Sequence, residues 1–294
     1  MSKVIFKFNR TGLQTSIQDM GRTGYQHYGV PVGGVMDRSS AKMANWLVGN
    51  HPGSPVLEIT LTGPEIEILG DCQIALTGAD IPASINAVKL PTYETIAVKS
   101  GSVLSFGRIQ SGCRAYLAIG GMWQVKHWLG SSSFSTYQAL NSDLVSIIYK
   151  NSAFIVNTHP FISKREHPEA LIPKFNNSIT VTVLPGPEFN MFSDAATDYF
   201  FNRKHRITKD ANRMGYRMDT IIPDVESKKE VISSGVLPGT IQVTGSGQAV
   251  VLMADAQTTG GYLRLGNVIT PDIERLAQLK PGDEVRFLLS GSFL

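Results

Sequence analysis

The densest run of groups able to do chemistry is Asp255-Ala256-Gln257-Thr258-Thr259-Gly260-Gly261-Tyr262, which follows the apolar stretch Val250-Val251-Leu252-Met253 after one residue. Glycines bring backbone amides close to a ligand and threonine hydroxyls add donors, so such a loop suits a carboxylate or phosphate. Gln257 can hold an amide, and Asp255 can accept a proton or orient water. These two are the candidate catalytic residues, with Thr258, Thr259, Gly260, Gly261 and Tyr262 as binding residues. The alternative is a hairpin whose Thr and Gly only satisfy turn geometry, although so long a run of small or polar residues exceeds what a hairpin needs.

A second candidate is Gly29-Val30-Pro31-Val32-Gly33-Gly34-Val35-Met36-Asp37-Arg38. A glycine-rich loop entering a helix presents free N–H groups and a positive dipole end, which makes Gly33, Gly34 and Asp37 anion-site candidates. Against that, Asp37 fills the cap position itself and its charge opposes an anion. A third group pairs arginine with aromatics: Arg22, Tyr25, His27 and Tyr28 early in the chain, then Arg213, Tyr216 and Arg217. Arginines so placed clamp carboxylates bidentately, so Arg22 and Arg217 join the list; the bland alternative is surface stacking on tyrosine. The motifs of several enzyme classes are absent. There is no Gly-Lys-Ser/Thr phosphate loop, no Gly-x-Gly-x-x-Gly, no Gly-x-Ser-x-Gly, and no evident Ser–His or Cys–His pair. The histidines His27, His51, His127, His159, His167 and His205 show no metal-ligand spacing, so no metal is expected.

The elements that must hold these groups are mainly short strands. Val4–Phe8, Leu57–Leu61, Glu65–Leu69, Gln73–Thr77, Thr95–Lys99, Ser102–Phe106 and Arg114–Ile119 read as strands punctuated by Gly-Pro, Gly-Asp and Ser-Gly pairs, a texture of barrels or sandwiches. One clear helix is predicted over 38–48, capped by Asp37 and stopped by Gly49. A second is predicted over Phe189–Arg203, and strands are expected from there to the C-terminus. The expected organisation is a first β-barrel subdomain over 1–150, a linker or crossing over 151–177 carrying Pro160, Pro168 and Pro173, and a second β-barrel subdomain over 178–294. A weak echo supports duplication: Val98-Lys99-Ser100-Gly101 to Phe106 is matched by Leu279-Lys280-Pro281-Gly282 to Phe287, and Leu76–Asp80 by Leu252–Asp255.

Composition narrows the classes. At 294 residues the chain has core enough to fold without disulfides or metal, and Cys72 and Cys113 are its only cysteines. No run of apolar residues is long enough for a membrane helix. The opening residues lack a signal-peptide core, so a cytoplasmic location is expected. A net charge of +3 without a basic cluster argues against nucleic acid. Charged residues are 17%, below the roughly 25% of ordinary soluble proteins, which points to surface covered by a partner.

Several segments together resemble one family: Leu13-Gln14-Thr15-Ser16-Ile17-Gln18-Asp19-Met20-Gly21-Arg22; Gly29-Val30-Pro31 through Asp37 with Ala44-Asn45 and Leu47-Val48-Gly49-Asn50; Leu76-Thr77-Gly78-Ala79-Asp80; and Gly235-Val236-Leu237-Pro238-Gly239 with Ile241-Gln242-Val243 and Asp255 to Tyr262. They are similar to the carboxyltransferase-type family long labelled allophanate hydrolase subunit 2. It includes the C-type subunit of the bacterial ATP-dependent 5-oxoprolinase and an antagonist of a kinase inhibitor, and it is related to urea carboxylase. The resemblance implies duplicated cyclophilin-like β-barrels with a few short helices. It implies one member of a complex that opens 5-oxoproline to glutamate, with ATP and magnesium entering at the level of the complex. Its partners would be a companion carboxyltransferase-type chain (the B-type subunit) and a hydrolase chain (the A-type subunit), and no biotin would be attached to this chain. The alternatives are a regulatory protein that sequesters a sensor-kinase inhibitor and a urea carboxylase-type subunit. By the same resemblance the Asp255–Tyr262 and Gly33–Asp37 loops would line the site. The chain departs from the family at Gly130-Ser131-Ser132-Ser133-Phe134-Ser135-Thr136, where the usual Gly-Ser-Arg-Ser-Thr has an arginine, and in lacking the glycine-rich loop expected over 139–150. The isolated chain is expected to be catalytically silent and to work as part of a hetero-oligomer.

Overall fold

The computed structural model describes residues 2–134, 148–225 and 231–291; the expected position of the missing glycine-rich loop falls largely outside them. The chain divides into two compact units, one of Met1–Arg22 with Gly33–Phe175, the other of Thr23–Val32 with Asn176–Leu294.

In the first unit a seven-stranded sheet runs in the order Gly121–Trp123, Ala153–Thr158, Ser2–Arg10, Glu65–Leu69, Ser102–Phe106, Ala83–Ile85, Val88–Lys89. A five-stranded sheet runs Gln14–Gln18, Val56–Thr60, Ser111–Ile119, Cys72–Asp80, Ile96–Val98. Alternation builds the core between them. Val4, Phe6 and Phe8 point inward while Ile5 and Lys7 face out, and they meet Ile17, Leu57, Ile66 and Leu117. The strand Ala153–Thr158 corrects the linker expected over 151–177. It pairs antiparallel with Ser2–Arg10, placing Phe6 opposite Phe154 and Val4 opposite Val156, so burial of its alternate residues outweighs the prolines that follow.

Helix α1 (Arg38–Leu47) lies one residue short of its predicted end. Asp37 caps it as expected, its Oδ1 accepting the Ser40 N–H at 3.0 Å, and Ala41, Ala44 and Leu47 form the buried stripe. Helix α2 (Asp194–Phe201) is shorter than predicted because Ser193 caps it and Phe189–Met191 forms a separate 3-10 turn. Helix α3 (Thr270–Leu276) replaces an expected strand; its signal was Pro271 in the first turn, and Asp272 anchors it by accepting the Thr182 N–H at 2.7 Å.

The second unit is built on another seven-stranded sheet, ordered Lys204–Arg206, Glu284–Leu289, Ser178–Pro185, Leu263–Val268, Thr240–Val243, Gln248–Leu252, Gly215–Ile221. Its two outermost strands meet: Ile207 bridges Met218, and the Thr208 N–H donates to the Arg217 carbonyl at 2.9 Å. The sheet is therefore nearly closed into a barrel. Tyr216, Met218, Ile241, Val251, Val183 and Phe287 fill its interior. The period of two then sends Arg217, Gln242 and Val250 to the outer wall. The internal echo is visible at one turn in each unit. Gly101 and Gly282 both hold φ values, 82° and 94°, that favour glycine, and the same i to i+3 hydrogen bond closes both turns, Ser102 N–H to Lys99 O and Asp283 N–H to Lys280 O. The chain is mainly β throughout, with short helices.

Candidate functional site

A pocket of about 200 Å³ lies on the outer wall of the second unit's barrel. Strand register explains its floor. Val250 is paired with Gln242 on one side and with Arg217 on the other, so all three share a face. Gly215 and Leu252 are the next pair along the same face. Asn212, Met214 and Thr244 complete the strand side, and Gln257 and Tyr262 reach in from the Asp255–Tyr262 loop.

The loop is tied down at both ends. Asp255 receives Arg213 Nε at 2.7 Å and Nη2 at 2.8 Å, a bidentate pair in which the arginine side chain is 4% exposed. Its own backbone N–H donates to the Arg213 carbonyl at 2.9 Å. Ala256 is buried against Val236 and Leu252. The Thr258 carbonyl accepts the Val236 N–H at 3.0 Å, and Thr259–Gly260 pairs with Ser234–Gly235. Arg264 backs this ribbon: its Nη1 donates to the Gly235 carbonyl at 3.0 Å while Nε bonds Glu188 at 2.7 Å. The hydrogen bond from Arg264 holds the Glu188 carboxyl below its ordinary value, ahead of the opposing effect of burial. Gly260 lies close to Gln242: a Cβ there would sit 2.4 Å from its Nε2, so any side chain would displace that amide. Gln242 in turn accepts from Gln257 Nε2 at 3.3 Å, which sets the direction of the Gln257 amide.

Of the residues singled out in this loop, Gln257 and Tyr262 line the pocket, and so does Arg217, whose exposed guanidinium touches Gln248 Oε1 at 3.4 Å. Asp255 is not part of the lining. Both its oxygens face Arg213, and this pair holds the loop. Thr258, Thr259, Gly260 and Gly261 likewise support the wall and do not line it. Asn212, Gln242 and Thr244 were missed. For Gln242 a signal existed: it is the one polar residue between Ile241 and Val243, which marks the outward face of a barrel strand.

In the first unit three amides of the Gly33–Asp37 loop are already taken. The Val35 N–H donates to the Asp19 carbonyl at 2.9 Å, Met36 N–H to Glu58 Oε2 at 2.8 Å, and Asp37 N–H to the Tyr116 hydroxyl at 2.8 Å. Glu58 also accepts from Tyr116 Oη at 2.9 Å and faces Arg114 Nε at 3.7 Å, all of it buried. Desolvation, reinforced by Glu58 and Asp37, pushes the Tyr116 phenol well above its ordinary value. An anion finds neither these amides nor a favourable charge at Asp37. Arg22, 1% exposed, is likewise committed. Its Nη2 donates to the Ser133 carbonyl and its guanidinium stacks 4.9 Å from the Trp128 ring, so it braces the 128–133 turn. That turn carries the family departure. Asp19 accepts from Ser131 Oγ and Ser133 Oγ at 2.6 Å each and from the Ser132 N–H at 2.6 Å. A Ser–His contact not read from the sequence sits here as well, with Ser132 Oγ 3.3 Å from His127 Nδ1. Ser132 is fully buried, while His127 is exposed.

The pocket thus offers one guanidinium, neutral amide and hydroxyl groups, and an apolar floor of Met214, Val250 and Leu252. That combination suits a small carboxylate with a compact carbon body. The chain belongs to the carboxyltransferase domain family, subdomains A and B, whose pattern matches residues 28–289. Over 97% of its length it is 34% identical to the C-type subunit of Escherichia coli 5-oxoprolinase, covering 91% of that protein. It is 31% identical to Saccharomyces cerevisiae urea amidolyase over 94% of its length, but spans only 16% of that longer chain. The crystal structure of the K. lactis urea amidolyase superposes with a TM-score of 0.89 at 29% identity, covering 97% of this chain and 18% of the other. Among the described residues no helix is long and apolar enough to cross a membrane.

Proposed function

We propose that this chain is the C-type subunit of an ATP-dependent 5-oxoprolinase, acting in the cytoplasm with a companion carboxyltransferase-type chain and a hydrolase chain. The observation that carries the reading is the near end-to-end match, in both directions, to a protein named as the C-type member of 5-oxoprolinase. The pocket supports it. Arg217 offers a fork to the carboxylate of 5-oxoproline, Gln257 an amide to its lactam, and Val250 and Leu252 a surface for the ring. The reaction adds water to the lactam carbonyl and breaks the C–N bond to leave glutamate, with ATP and magnesium entering at the level of the complex. Asp255 acts through Arg213 by fixing the loop that carries Gln257 and Tyr262.

The test is reconstitution with the two partner subunits, measuring glutamate released from 5-oxoproline with ATP and magnesium. Release that needs all three chains, with silence from this chain alone, is the expected result. Steady turnover by this chain alone overturns its dependence on partner subunits, and no release with all partners overturns the substrate. Asp255→Asn should lower stability and turnover together; loss of turnover with unchanged stability would restore a direct chemical role. The likeness to urea amidolyase favours a second reading, a carboxyltransferase chain that acts on urea-type amides. Urea-dependent ATP consumption in the same assay, without glutamate release, would select it.

A further inference from the structure

A second pocket, of about 470 Å³, opens in the first unit and is lined by Arg10, Gly12, Leu13, Thr62, Gly63, Phe106, Gly107 and Arg108. Its two arginines stand apart from most others in the chain. Arg213, Arg264, Arg206 and Arg275 pair with carboxylates, Arg165 bonds the Trp46 carbonyl, and Arg203 stacks on Tyr199. Arg10 lies across the strand pair from Glu65, whose carboxylate accepts from Asn9; neither Arg10 nor Arg108 has a carboxylate within 4.0 Å or a side-chain hydrogen bond among the described residues, and no lining residue is acidic. Two fixed positive charges at one concavity repel each other, and neither can shed its proton.

The walls are tied by hydrogen bonds. Leu61, at the start of the turn that carries Thr62 and Gly63, holds a φ of 60°, a conformation costly for a branched side chain. Leu13 N–H to Thr62 Oγ1 at 2.9 Å and Ile109 N–H to Leu61 O at 3.1 Å fix that turn between the two arginine-bearing segments. Phe106 is nearly buried beneath, and Leu13 is 66% exposed at the rim.

We infer that this pocket binds a small organic anion bearing two negative charges, a phosphate monoester or a dicarboxylate. Arg10 and Arg108 would each take an oxyanion edge, with the carbon body against Phe106 and Leu13. Each guanidinium is a planar fork matched to phosphate or carboxylate oxygens, and a doubly charged ligand offers one negative charge to each. The site is independent of the 5-oxoproline reading, since it shares no residue with the outer-wall pocket.

Titration of the full chain with phenyl phosphate and with succinate, followed by amide NMR shifts at Gly12, Gly63 and Gly107, tests it against potassium chloride at matched ionic strength. Saturable shifts are expected with one of the two, and which one assigns phosphate or dicarboxylate. Arg10→Gln and Arg108→Gln should each weaken binding at least about tenfold, and the double variant should lose it. Arg286→Gln, an exposed arginine outside the pocket, should bind as the parent does. The exposed positions make folding changes small, and unchanged thermal midpoints check this. No saturable response to either probe, shifts reproduced by chloride, or equal binding by the double variant would each overturn the proposal.

Discussion

In the Gly33–Asp37 segment the amides of Val35, Met36 and Asp37 donate to Asp19, Glu58 and Tyr116. In the Asp255–Tyr262 segment the backbone pairs with its own ribbon, and the side chains of Gln257 and Tyr262 project onto a pocket wall. Both segments are glycine-rich, polar and next to a regular element, so both invite the same anion-binding interpretation. The difference teaches that composition fixes how closely a loop approaches a ligand, while the destination of each N–H decides whether anything is left to bind one. The first loop is consumed by a buried acid–phenol–arginine cluster and serves α1. The second is held from behind by Arg213–Asp255 and Arg264–Glu188 and keeps its front open.

The sharpest way to break this comparison is Glu58→Ala. It removes the acceptor of Met36 and Tyr116 and the carboxylate facing Arg114, all buried, and should cost about 3–5 kcal/mol in urea unfolding. A loss below about 1 kcal/mol would show that the cluster does not hold the first loop. Arg217→Gln should act oppositely. The side chain is exposed, so stability stays within about 0.5 kcal/mol, while KM for 5-oxoproline in the reconstituted complex rises about tenfold, roughly 1.4 kcal/mol. An unchanged KM would remove Arg217 from the site. Asp37→Ala should cost about 1 kcal/mol by loss of the cap, with no change in KM. A raised KM without destabilisation would return the first loop to anion binding.

The smallest effect concerns the barrel that carries the second loop. His205 is fully buried between Phe200 and Phe287, with Nε2 2.8 Å from the Phe200 carbonyl. Burial is the leading cause that lowers its pKa from the ordinary 6.5. As pH falls below that value the unfolded chain takes up a proton that the folded chain resists, so stability is full above about 6.5 and declines below it. His205→Gln keeps a donor for Phe200 and should flatten the unfolding free energy across that window. An unchanged slope would mean that other groups carry it.

Much of the frame was legible. Alternation at Val4–Phe8 and Leu57–Leu61 marks strands because one face of each is buried, and Asp37 marks the start of α1 because its side chain has a local amide to accept. Less legible was whatever depends on partners far along the chain. Ala153–Thr158 reads as a linker until Ser2–Arg10 lies beside it, and Arg22 reads as a ligand clamp until the 128–133 turn meets it. Asp255 reads as an acid until Arg213, 42 positions earlier, takes both its oxygens.

By itself the sequence determined the mainly β class, the capped helix, the family and the loop that reaches the pocket, because these rest on short-range periodicity, local hydrogen bonding and contiguous motifs. Only the tertiary structure decided that a nearly closed barrel turns Gln242, Val250 and Arg217 to one outer face, and which polar groups are spent on the fold. A residue's free valence depends on what packs against it, and that is set by strand register across segments far apart in the chain.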